Sequence, residues 1–122
     1  MFSAKFSNII SRTPSSAQAL DLVAKYLDTA AEQKRLHKLR LDPKLIQQIS
    51  RVSTSSELAV LISILTSEHI LRRVVVVQSP GGGGVAEFNS VDEVPGRLHD
   101  HLRDVQMDVT PSDLRTVYVA ET

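Results

Sequence analysis

Three features predict an α+β chain, helical in its amino-terminal half and built of a small, mostly antiparallel sheet in its carboxy-terminal half. Leu20, Val23, Leu27, Ala30 and Ala31 recur every three or four residues, which places them on one face of a helix. After Thr66 the period changes, because ILRRVVVV carries too many β-branched residues in a row to be comfortable as a helix end. Pro80 and the glycines Gly81 to Gly84 then break the strand before VAEF resumes it. With 122 residues and 42% hydrophobic content the chain is long enough for one modest core. The organisation expected is an amphipathic segment over 1–13 followed by a single domain over 14–122.

The first twenty residues, MFSAKFSNIISRTPSSAQAL, hold Lys5 and Arg12 but no carboxylate, and Phe2, Phe6, Ile9 and Ile10 share one helical face. That composition resembles a transit peptide. The reading favoured here is a short helix that docks on this domain or on a partner, with Phe2, Phe6 and Ile10 as contact residues. Pro14 and the serines after it start a long helix that is expected to reach about Lys38, where basic residues oppose the negative pole of its dipole. Asp42 and Pro43 form an N-cap with proline at the first helical position, and Leu45, Ile46 and Ile49 are the buried side of the helix they open. Thr54 and Glu57 have capping-box spacing ahead of a third main helix, whose stripe is Leu58, Leu61, Ile62 and Leu65.

Strands follow. Beyond VVVV and VAEF, a short turn over Ser90 to Glu93 has capping-box spacing. VQMDV alternates Val105, Met107 and Val109 against Gln106 and Asp108, the pattern of a strand buried on one face. Thr110, Pro111 and Asp113 start a helical turn, and RTVYVA closes the chain as a strand. Only Phe2, Phe6, Phe88, Tyr26 and Tyr118 supply rings, so the core is expected to be leucine, isoleucine and valine. The absence of cysteine excludes disulfides, thiol catalysis and thiolate zinc sites, and fits a cytoplasmic location. No apolar stretch approaches the roughly 20 residues that span a bilayer.

Three helices, a strand, a glycine-rich tip and a second strand is the order of a winged helix, and LISILTSEHILRRVVVV resembles the junction where the last helix turns into the wing. The resemblance covers about residues 41–88 and rests on pattern. It implies a DNA-binding fold whose third helix enters the major groove. Residues after Phe88 lie outside it, as an extension that adds strands or covers an edge.

The glycines raise the question of a phosphate loop, which needs amides at a helix start and commonly a lysine. Gly84 leads into a strand instead, and no lysine follows Lys44. Gly81, Gly82, Gly83 and Gly84 are therefore expected to form a mobile hairpin tip that orders on a partner. His99 and His101 could share a metal ion from a strand, but on a helix they would point apart, and the charged RLHDHLRD context reads as surface. No serine sits in a GxSxG turn. The acidic pairs Asp92 with Glu93 and Asp100 with Asp104 read as helix-start charge and exposed surface. No catalytic, cofactor-binding or metal-binding residue is expected, no small-molecule substrate is evident, and enzymatic activity is not the reading.

Protein and nucleic acid remain as partner classes. Zero formal net charge conceals +4 between Lys25 and Arg51 and −5 from Val52 onward. The basic residues Lys34, Arg35, Lys38, Arg40, Lys44 and Arg51 could meet phosphate without reading sequence. Base reading needs Arg, Lys, Asn or Gln on the third helix. TSSELAVLISILTSE has none, its charges are Glu57 and Glu68, and Val60 and Ile64 make its second face apolar. The function expected is a non-catalytic protein-interaction module, an adaptor or regulatory subunit that engages a protein partner or a second copy. The alternative is a winged-helix DNA-binding regulator that contacts phosphate through residues 34–51.

Overall fold

The computed structural model describes residues 3–121, with backbone alone for Ser3 and Ala4. It has the predicted α+β class, with helices first and a small antiparallel sheet after them. The helices are α1 (Ser3–Arg12), α2 (Ala17–Glu32), α3 (Pro43–Ser50) and α4 (Ser55–Ser67). The strands are β1 (Leu71–Gln78), β2 (Gly84–Phe88), β3 (Arg97–Asp100), β4 (Val105–Asp108) and β5 (Leu114–Ala120). One sheet has the order β2-β1-β5, and β3 pairs with β4 in a second. Among the described residues no single helix is long and apolar enough to cross a membrane.

The chain forms two compact units: unit 1 is residues 1–72 with 118–122, and unit 2 is residues 73–117. Unit 1 is held by apolar burial. Leu20, Val23, Ala24, Leu27 and Ala30 line the inner face of α2, and Ile46 of α3 with Leu61 and Leu65 of α4 complete the centre. Phe6 and Ile9 of α1 join the same core, and Lys5 Nζ donates to the His69 carbonyl at 3.3 Å while Arg12 pairs with Glu68 at 3.0 Å. Leu41 and Tyr118 exchange two backbone hydrogen bonds of 2.9 and 2.7 Å, which ties the α2–α3 connection to the returning end of β5.

The caps read at α3 and α4 are made, whereas at Ser90, where the spacing to Glu93 predicts a capping box, the side chain makes no cap bond and Glu93 Oε2 accepts from the Asn89 amide at 3.0 Å instead. Asp42 Oδ1 accepts from the Leu45 amide at 2.7 Å, and Thr54 Oγ1 from the Glu57 amide at 3.1 Å. The reach back from Glu57 lands on the Ser53 amide, one residue before the cap. The helix ends were less readable. α2 stops at Glu32, short of the expected Lys38, because Lys34 takes a left-handed φ of 58° and lets the Arg35 amide bond back to Ala30. α4 ends in the same motif on His69 (φ 58°), and α3 ends on Arg51 (φ 60°). Three helix ends thus use the conformation that favours glycine without a glycine in it.

Unit 2 is built on hairpins. β1 is the middle strand of its sheet, which is why Val74 to Val77 are all buried rather than alternating. It pairs with β2 from Val75 opposite Phe88 to Gln78 opposite Gly84, with a bulge between Val77 and Gln78. β3, unforeseen from RLHDHLRD, runs antiparallel to β4 from Arg97 opposite Asp108 to Asp100 opposite Val105. Of the alternation expected in β4, Met107 is buried, whereas Val105 is exposed and Val109 half-buried.

Candidate functional site

In unit 1 the 3-10 turn Pro14–Ser16 with the start of α2, and the first half of α4 with Val52 ahead of it, border a cleft of about 410 Å³. Ser15, Ser16 and Ala19 form one wall. Val52, Ser56, Glu57, Val60 and Leu61 form the other. Leu61 is anchored in the core, so its exposed neighbour Val60 (54%) is carried on a fixed helix face. That face follows helical spacing: Ser56, Ala59, Val60, Ser63 and Ser67 are all exposed, and all are small and uncharged. Glu57 is the single charged group in the cleft wall. Ile64, the other α4 residue singled out from the sequence, is half-buried against the core and does not line the cleft.

The other expected contact residues of unit 1 are distributed differently. Phe2 lies outside the described residues. Phe6 is 1% exposed and Ile10 packs against the core, so at Phe6 the apolar face of α1 is spent on this chain itself. Lys34, Lys38, Lys44 and Arg51 are exposed, at the end of α2, the 3-10 turn Leu36–Lys38 and the two ends of α3. Arg35 lies over the Tyr26 ring at 5.8 Å, and Arg40 donates to the carbonyls of His37 and Leu39. None of these six cations stands on α4.

In unit 2 the glycines form a compact turn. The Ser79 amide donates to Gly83 and the Gly82 amide to Ser79, at 2.9 and 2.8 Å, and Gly82 and Gly83 have φ of 97° and 91°. A Cβ on Gly83 would stand 2.9 Å from Leu102 Cδ1, so this glycine is the seat on which Leu102 rests. Gly81 would meet nothing.

Asp100 explains why the two turns meet. Expected at the surface, it is fully buried. Its Oδ2 accepts from Ser79 Oγ at 2.6 Å and from Arg103 Nε at 2.7 Å, and its Oδ1 from the amides of Leu102 and Arg103 at 3.0 and 3.2 Å. These bonds, Ser79 foremost and then Arg103, hold its carboxyl well below the usual carboxylate range and outweigh the opposing effect of burial. Asp100 thereby clamps the β3–β4 turn to the end of β1 and leaves Leu102 exposed (52%) above the glycine turn. The local half of the clamp, an aspartate accepting from amides two and three residues on, is a turn signal that DHLR carries. The bond to Ser79, 21 residues away, has none.

The chemistry available here is limited. Ser79 donates to a carboxylate that fully engages it, and no imidazole bonds to it, so it is not arranged as a nucleophile. His99 Nε2 meets Asp104 at 3.2 Å on the surface, and among the described residues no three His, Cys, Asp or Glu side chains gather as a metal site. Comparison with protein-family models, with curated proteins and with solved structures finds no match for this chain.

Proposed function

We propose that the chain is a non-catalytic protein-interaction module, an adaptor or regulatory subunit, and that its unit 1 engages protein through the cleft between α2 and α4. The outward face of α4 carries this reading: it exposes Val60 among serines and an alanine, with no cation anywhere along it. A helix face of small residues beside a cleft whose one charge is Glu57 lets another protein surface approach closely and dehydrate Val60. It offers nothing to a phosphate or a base edge. A photo-crosslinking residue at position 60, in the full chain in cells, tests this. Protein adducts that a crosslinker at exposed Gln48 does not give are expected; nuclease-sensitive adducts would overturn the reading.

One angle favours a second function. α3 and α4 are bent by 98° across a short break, as in a helix-turn-helix, in keeping with a winged-helix order. A regulator of that kind would hold DNA by phosphate contacts from Lys34, Arg35, Lys38, Arg40, Lys44 and Arg51. It requires a low-salt complex whose affinity falls steeply as salt rises, and loses it when Lys34, Arg35 and Lys38 are reversed in charge.

A further inference from the structure

We propose that the Leu102 knob of one copy seats in the α2/α4 cleft of a second copy, so that the chain associates head to tail. This rests on the reading of the cleft as a protein-binding surface and names its occupant. The knob is fixed in advance: the Asp100 clamp holds the turn that bears Leu102, and Gly83 supports the side chain from below. An exposed apolar side chain already immobilised loses little freedom on contact.

Charge selects Leu102 from the exposed large hydrophobics among the described residues, Val60, Val91, Leu102 and Val105. Val60 is the cleft wall. Val91 is followed by Asp92 and Glu93, which would be driven against Glu57, and Val105 directly follows the exposed Asp104, which stands one residue further from Leu102 and meets His99 Nε2 at 3.2 Å. Leu102 alone is followed by a cation. Arg103 spends its Nε on Asp100 and keeps 42% of its side chain exposed, within reach of a Glu57 beside the seated leucine. A cleft of about 410 Å³ admits a leucine side chain with space to spare.

The units add a long-range term. Unit 1 carries ten lysines and arginines against seven carboxylates, a net +3, and unit 2 carries four arginines against seven carboxylates, a net −3. The neutral chain is therefore a basic unit joined to an acidic one, and a cleft-to-knob contact brings opposite charges together across copies. Such a contact uses a different surface on each copy, so it is heterologous.

Light scattering across a range of protein concentrations tests the proposal. The wild-type mass is expected to rise with concentration and to rise less at high salt. Val60→Glu and Leu102→Asp should each remain monomeric, since each removes one half of the contact. Mixed in equal amounts they should reach twice the monomer mass and stop there: one supplies an intact knob, the other an intact cleft, and the remaining contact sets carboxylate against carboxylate. A wild-type monomer at every concentration, association that either variant retains, or a mixture as monomeric as its components would overturn the proposal. Leu102→Ser replaces Leu102→Asp if circular dichroism shows the latter unfolded. A monomeric wild type whose position 60 still crosslinks to protein would sink the occupant and leave the cleft reading standing.

Discussion

The two units are held by opposite means. Unit 1 closes over Leu20, Leu27, Ile46, Leu61 and Leu65, side chains that need only be apolar and correctly spaced. Unit 2 has its run of valines as well, but the relation between its turns depends on one ionised, fully buried carboxylate and the four groups that donate to it. Burial of leucines is non-directional and tolerates small shifts. A buried carboxylate with every bond made specifies one arrangement and suffers when any partner is removed. A knob that must present one leucine in one position is well served by the second device.

That contrast can be broken from either side. The largest loss is expected for Leu27→Ala, which should cost unit 1 about 3 kcal/mol in denaturant unfolding, the usual range for an aliphatic side chain removed from a closed core. Asp100→Asn should come next. It keeps the volume but turns one accepting oxygen into an NH2 that cannot accept, losing the two bonds made there and weakening the two made to the other, and should lower the thermal midpoint by on the order of 10 °C. Amide exchange read residue by residue should rise most from Gln78 to Gly84 and from Asp100 to Asp104.

The same carboxylate fixes an acid limb. Its pKa is lowered in the folded chain, so the unfolded chain binds the proton more readily, and the stabilisation is complete above the ordinary value of 3.8 and drains away as pH falls below it. Asp100→Asn should flatten that part of the stability–pH curve, whereas Leu27→Ala should only lower it. Gly83→Ala is expected to cost about 2 kcal/mol, from its φ of 91° and the contact with Leu102, while Gly81→Ala stays near neutral. The smallest effect expected to differ from zero is a gain. Lys34→Gly should stabilise unit 1 by about 0.5 kcal/mol, because glycine relieves the left-handed helix end.

How much could be read from the sequence follows the same division. Helical spacing located the faces of α2, α3 and α4, and Asp42 and Thr54 announced their caps, because both signals lie within a few residues of one another. The end of α2 was missed since Lys34 gives no sign that it will adopt a glycine's conformation. β3 and the burial of Asp100 were missed since RLHDHLRD has the composition of a surface, and the serine that makes its aspartate tolerable inside comes from the far end of β1. The spacing reads Val60 and Ile64 together as an apolar second face of α4, of which only Val60 is exposed, and the opposite wall of its cleft, Ser15 to Ala19, belongs to a distant stretch of the chain.

Spectra of the isotopically labelled chain at low and at high protein concentration test whether the α4 face and its cleft take protein. The amides expected to shift are those of Ser15, Ser16 and Ser56 to Leu61 in unit 1, together with Gly81 to Gly84 and His101 to Arg103 in unit 2. Spectra that do not change with concentration, but move at Lys34 to Arg51 when a DNA duplex is added at low salt, would contradict that reading.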